Sequence, residues 1–447
     1  MVQLVFNSLA GLSLLLFMYV AYVSYQEGAQ RAVKIATIAG IVMALLFAAG
    51  AYLATLFPMP AQLFLIALSL LFIVLFLPVK GVGKIKQGKP STQIDERDIM
   101  FSRNELVPGS EQYQAYYRRN QEKQALDEKF RKKPGLLSLQ SAFYEPYTFG
   151  ASMANGTVLD KIKNDTCPTP STVKTNSNEE DLTRFLKGWL LNLGAHSVGI
   201  TKLKPTHFYS HKGRGKRYGE AITNDHTLAI AFTVEMDHQM MKSAPKGTVI
   251  MESTQQYLNS GIMALQVAHF LAEKGFQAQA HIDGNYEVVC PLVASDAGLG
   301  EIGRMGILMT PKLGPRVRLA VVTTNAPLQI EEQTFDATII DFCNICKKCA
   351  QSCPSQSIPF EERKEVNKAL RWQINSESCF TYWTTIGTDC GKCMQVCPYS
   401  HPNNKLHNFV RWGIRNNWLF RRLALKFDDI FYAKHMGNQK FPKWIKH

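Results

Sequence analysis

Eight of the ten cysteines fall between residues 343 and 397. They form two runs, Cys343-x2-Cys346-x2-Cys349-x3-Cys353-Pro354 and Cys379-x10-Cys390-x2-Cys393-x3-Cys397-Pro398. The first has the bacterial ferredoxin spacing, in which three thiolates hold one [4Fe–4S] cubane and the fourth reaches the neighbouring cluster. The second keeps that spacing in its last three cysteines and stretches the first gap. The cross-over predicts one cluster on Cys343, Cys346, Cys349 and Cys397, and the other on Cys379, Cys390, Cys393 and Cys353. Soft thiolates suit iron–sulfur cores. A zinc ribbon does not explain the spacing or the trailing prolines, and a disulfide scaffold does not suit a cytoplasmic domain. Cys167 and Cys290 stand alone and read as small core residues. Two adjacent clusters make a short wire. The roughly 250 soluble residues before it exceed what an electron carrier needs, so a reaction centre is expected there.

The wire needs a place in the cell. Three apolar runs, Leu4–Tyr25, Ile35–Phe57 and Ala61–Val79, open the chain, each long enough to cross a hydrocarbon core of ~30 Å. The first lacks the basic start and small-residue cleavage site of a signal peptide. Arg31 and Lys34 occupy the first loop, and Lys80, Lys84, Lys86 and Lys89 follow the third run, whereas the Pro58–Pro60 turn is uncharged. Lys and Arg favour the cytoplasmic side, and no twin-arginine signal precedes the chain. The expectation is a multi-pass protein of the inner (cytoplasmic) membrane with its catalytic part facing the cytoplasm. The spans contain no His to hold a haem and read as an anchor. The net charge of +14 fits an anionic membrane face as well as nucleic acid; the spans favour the membrane.

Beyond them the sequence divides into a linker and wrapping segment (81–178), a core (179–335), a two-cluster domain (336–402) and a C-terminal tail (403–447) packing on the core, after an anchor of residues 1–80. A helix begins near Glu179 with Leu182, Phe185, Leu186, Trp189 and Leu190 on one face and ends at Gly194. Strands are expected at Ser197–Thr201, Thr227–Val234, Gln277–His281 and Arg318–Thr324, with a long helix over Thr254–Lys274. This alternation indicates an α+β fold with an α/β core.

From Asp95 onward the chain resembles the reductive dehalogenase family. The resemblance rests on Asp95-Glu96-Arg97-Asp98-Ile99-Met100-Phe101, on Phe208-Tyr209-Ser210-His211 with Gly213-Arg214-Gly215, and on Met236-Asp237-His238 through Ala244-Pro245. It is strongest at Ala297-Gly298-Leu299-Gly300-Glu301 with Arg304 and Gly306, then Gly314-Pro315-Arg316-Val317-Arg318, just before the two cysteine runs. The resemblance implies a nitroreductase-like α/β core that binds a corrinoid (cobalamin), fed with electrons by two [4Fe–4S] clusters. It implies removal of halide from a small organohalide, with Tyr257 as proton donor, Arg318 as its cationic partner and Asn285 beside them. The Asp-x-His-x-x-Gly signature of His-on cobalamin proteins is absent, which accords with a family whose cobalt has no protein His ligand. Arg304 and Arg316 are candidate contacts to cofactor phosphate or propionamides. Gly261, Ala264 and Ala268, beside Tyr257 on its helix, could admit a planar cofactor. By residue type alone Tyr257 reads first as a core aromatic; as a donor, a phenol of pKa near ~10 stays protonated until used, and an adjacent cation stabilises the phenolate.

Expected partners are an electron donor (a ferredoxin, a flavodoxin or a membrane donor) and membrane lipid, with no nucleic acid. Two other readings compete. An epoxyqueuosine reductase-like enzyme would use the positive charge to hold tRNA, but the spans and the short stretch after Cys397 oppose it. A membrane ferredoxin-type electron-transfer subunit would not need the large domain between linker and clusters.

Overall fold

The computed structural model describes all residues except 84, 332, 367, 434–439 and 446–447, so Lys84 of the basic segment lies outside the described residues. The chain divides into two compact units: Met1–Lys84 with His401–Met436, and Ile85–Ser400 with Gly437–His447.

In the first unit, helices Val2–Gln26, Gln30–Leu56 and Pro58–Phe76 are each long and apolar enough to cross a membrane. They begin and end close to the expected runs, but the connections are shorter. Arg31 and Lys34 lie in the opening turns of the second helix rather than in a loop. Pro58 opens the third helix, where the missing N–H costs no hydrogen bond, so no Pro58–Pro60 loop exists. The tail helices group with the anchor. Helices Lys405–Asn416 and Trp418–Tyr432 join this unit, and only the last residues of the chain, from Gly437, group with the core. The reason lies at the end of the third helix, whose final carbonyls need donors. The Asn417 side chain donates to the Val74 and Leu77 carbonyls at 2.7 and 2.9 Å, and the Trp418 N–H donates to the Val79 carbonyl at 3.0 Å. The buried Arg421 guanidinium donates to the Lys80 carbonyl at 3.1 Å. Phe76 meets Phe409, Trp412 and Phe420 with ring centroids 5.9–6.2 Å apart. Behind the first helix, Glu27 is buried and accepts from His407 Nε2 at 2.9 Å and Asn404 Nδ2 at 2.7 Å.

The second unit is built on an antiparallel sheet ordered Ser197–Lys202, Leu228–Glu235, Val317–Thr324, Ala278–His281. Both faces are covered. Ile230 and Phe232 pack with Leu186, Leu190, Val267 and Leu271 beneath the helices Glu179–Leu193 and Gly247–Glu273. Ala229 and Ala231, pointing the other way by the two-residue period of a strand, pack with Val293 and Ala294 of the helix Cys290–Asp296. That double burial explains the unbroken apolar run in the second strand. The long helix begins at Gly247, earlier than its periodicity shows, so that Ser253 and Tyr257 both sit within it. The wrapping segment folds into helices Glu111–Arg119, Gln121–Arg131 and Pro146–Ile162. It covers the helix Ser376–Ile386 that carries Cys379: Phe130 meets Phe380 at 5.0 Å between centroids, and buried Arg103 donates to Glu377 at 2.8 Å.

Candidate active site

Tyr257 and Ser253 lie four residues apart on the Gly247–Glu273 helix, a spacing that puts them on one face. Arg318 comes from the sheet, paired with Val234 at the edge of the neighbouring strand. Its guanidinium carbon stands 4.8 Å from the centre of the Tyr257 ring, and its Nη2 donates to Ser253 Oγ at 2.5 Å. The same Nη2 pairs with Asp389 Oδ2 at 3.1 Å, and Ser253 Oγ also donates to that oxygen. Burial pushes the Tyr257 phenol up to about 12, against the opposing pull of Arg318, with Asp283 and Asp389 reinforcing burial. At neutral pH the phenol is therefore a protonated donor beside a cation that can receive the charge it leaves.

Two of the segments that carry the family resemblance meet each other. Glu96, buried, accepts from the Gly213 N–H at 2.7 Å and from Arg214 Nε at 3.2 Å. Arg214 lies over the Tyr286 ring at 4.8 Å, and Ser210 N–H donates to the Ile94 carbonyl at 2.9 Å. Asp283, whose carboxyl burial raises, faces Arg214 and Arg318.

Three of the expected site residues make hydrogen bonds within the protein. Asn285 is spent on loop bracing: its Nδ2 donates to the Lys163 carbonyl at 2.7 Å and to Thr166 Oγ1 at 3.1 Å, while its Oδ1 accepts from Lys212 at 3.2 Å. Asp283, two residues earlier, is the group that faces Tyr257 and Arg318. Arg304 is buried inside the two-cluster domain, where Nε donates to the Cys343 carbonyl at 3.0 Å and Nη1 to the Pro359 and Glu361 carbonyls at 2.7 Å. It braces the cluster loop through these carbonyls. Arg316 ties the strands together through Glu235 at 2.7 Å and the Ser400 carbonyl at 3.0 Å, leaving only its buried Nη2 without a partner among the described residues. The small residues on the long helix also face elsewhere: Ala264 and Ala268 lie in the core cluster, and a side chain at Gly261 would meet Leu159 and Ile282.

The cysteines gather as the spacing predicts. Burial raises the Cys397 thiol, and Cys346, Cys343 and Cys349 reinforce the shift as neighbours. Burial likewise lifts Cys379 to about 12 beside Cys393 and Cys353, and raises Cys390 beside Cys393 and Cys379. Closely grouped, largely shielded thiols cannot all ionise without a metal charge to balance them, so the donor sets fit iron–sulfur cores. Replacing Cys353 by Ala should damage the cluster held by Cys379, Cys390 and Cys393 and leave the other. Electron paramagnetic resonance of the reduced protein, which should lose one of two interacting signals, checks this; loss of both together would reject the cross-over.

Arg318 Nε, Asp389 Oδ1 and Arg214 Nη2 are buried without partners among the described residues. Such orphaned donors and acceptors suit a polar, amide-fringed ligand. A polar cavity lined by Lys89, Lys204, His207, Asp296 and Arg371 shares no residue with this group.

Two sets of four thiols beside a partly buried Tyr–Arg pair define a two-cluster iron–sulfur protein, and a 4Fe-4S dicluster domain matches residues 342–401. The chain is a homologue of the reductive dehalogenases. It is 34% identical over 215 residues to the tetrachloroethene reductive dehalogenase of Sulfurospirillum multivorans, covering 46% of this chain and 42% of that one. The enzyme of the same name from Desulfitobacterium hafniense is 33% identical over 215 residues, 45% of this chain and 38% of its own. The chain thus spans about two-fifths of the length of these relatives. A catabolic reductive dehalogenase solved with 3-bromo-4-hydroxybenzoic acid shares the fold over 79% of this chain and 51% of its own, with TM-score 0.62 and 20% identity. A second reductive dehalogenase structure, described with a mechanism for B12-dependent dehalogenation, gives 0.61 at 21% identity over 79% and 49% of the two chains.

Proposed function

We propose that this chain is a membrane-anchored reductive dehalogenase that removes halide from a small organohalide. The observation that carries the reading is the Tyr257 ring held under the Arg318 guanidinium, in one network with the residue that precedes cluster ligand Cys390. The core is read as a nitroreductase-like corrinoid-binding domain. Arg214, Arg318 and Asp389 would hold the corrinoid through their orphaned polar atoms. When bound, the corrinoid supplies the cobalt chemistry that breaks the carbon–halogen bond. The protein's own part is narrower. The cysteines would hold clusters that supply electrons, burial limits water at the site, and Tyr257 donates a proton to the carbon left by halide. Arg318 stabilises the phenolate until it is reprotonated. The donor of electrons is a ferredoxin, a flavodoxin or a membrane carrier. The three spans belong to the cytoplasmic membrane, with the catalytic unit on the side of the basic residues.

The protein purified anaerobically in detergent and supplied with cobalamin should hold about eight irons and one corrinoid per chain. With a strong reductant it should release halide from at least one aryl or alkyl halide. Iron without corrinoid uptake would favour an electron-transfer subunit, and reduction of epoxyqueuosine in tRNA would favour the alternative enzyme.

A further inference from the structure

Asp389 stands immediately before Cys390 in the chain and at the far end of the Tyr257 network. Cys390 takes the left-handed backbone region (φ +59°), as does Gly391 (φ +68°), so the chain turns sharply there. The turn is fastened. Cys390 N–H donates to Thr388 Oγ1 at 3.3 Å, and that hydroxyl donates to the Pro245 carbonyl at 2.7 Å. A non-glycine residue in this region is strained and persists only where its surroundings over-determine it. The conformation aims the Asp389 carboxylate inward, where Oδ2 meets both Arg318 Nη2 and Ser253 Oγ.

Resting on the proposed reaction, we propose that Asp389 is the positioning residue of the proton donor. It fixes the Arg318 guanidinium over the Tyr257 ring and couples that geometry to the loop of the Cys390 cluster. A guanidinium on a strand has long, flexible reach, and one ring contact at 4.8 Å does not set its tilt. Two acceptors on the same Nη2 do, one on the helix that carries Tyr257 and one on the cluster loop. Arg318 also faces Asp283 and Glu252, so its charge would remain compensated without Asp389. What Asp389 adds is direction. A charge beside a cluster also tunes its potential, so the same carboxylate touches electron delivery and proton delivery at once.

The test uses full-length holoenzyme. Asp389→Asn keeps size and hydrogen bonding but weakens the grip on Arg318. It should lower kcat on the order of 10- to 100-fold with KM little changed, the usual consequence of a misplaced reacting group. In an Arg318→Lys background the same substitution should cost almost nothing further, because the grip is already lost. By redox titration, Asp389→Asn should raise the midpoint of the Cys390 cluster, by an amount that differs between the two backgrounds. Unchanged kcat, or effects that simply multiply, overturns the proposal. If Asp389→Asn fails to assemble its clusters, Asp389→Glu retains the charge and should still lose turnover by displacing Arg318; full activity there overturns it as well. A wild-type protein inactive on every organohalide defeats the functional reading instead, and the redox titrations in the two backgrounds then decide the Asp389 proposal, additive shifts rejecting it.

Discussion

Replacing Tyr257 by Phe should leave eight irons and the bound corrinoid in place and lower dehalogenation by at least about 100-fold, the scale of a positioned general acid. The substitution removes one oxygen from a ring whose packing against the core cluster is otherwise untouched. Folding is therefore not at risk. With burial holding the phenol near 12, the donor stays protonated across the working range. The loss should accordingly be constant between about pH 6 and 9, since no titration of Tyr257 falls there. Halide release measured under anaerobic turnover, with iron and cobalt quantified on the same sample, checks this. Full activity in the variant would return Tyr257 to an ordinary core aromatic.

The second large effect is all-or-none. A fluorescent protein that matures only in the cytoplasm, fused to the C-terminus, should be bright, and a phosphatase active only in the periplasm should be silent. The basis is charge. Arg31 and Lys34 open the second span, and Lys80, Lys86 and Lys89 follow the third, so three crossings put both basic groups on one side. Reversing the signs, with Glu at Arg31 and Lys34, should weaken the bias. A silent fluorescent fusion with an active phosphatase would place the catalytic unit outside.

The cluster ligands were legible because a cubane imposes its spacing on a short stretch of chain, and the spans because composition alone decides them. Tyr257 and Arg318 needed the family resemblance; nothing in their local patterns separates them from core residues. Asp389 and Ser253 were missed, although each had a faint signal: one precedes a cluster ligand, the other lies one helical turn from Tyr257. Their meeting with Arg318 joins positions 65 and 71 residues apart, a distance no period spans. Arg304 misled for the opposite reason. A buried arginine suits an anionic ligand or a cage of carbonyls equally well, and the loop carbonyls around it come together only on folding. What the tail packs against was not legible, because the carbonyls at the end of the third span that accept from Asn417 come to it only on folding.

That closure sets a clock on biosynthesis. The anchor's own unit takes in residues 401–436, while Ile85–Ser400 must be translated before them. At ribosomal speeds about 300 residues take roughly 15–60 s. For that interval the Val74 and Leu77 carbonyls and the Phe76 ring wait at the membrane surface without Asn417, Trp412 or Phe420. A chain released early keeps its spans but never closes them. The anchor's unit therefore closes only once residues 401–436 have been made, and chains truncated before them should lack that closure.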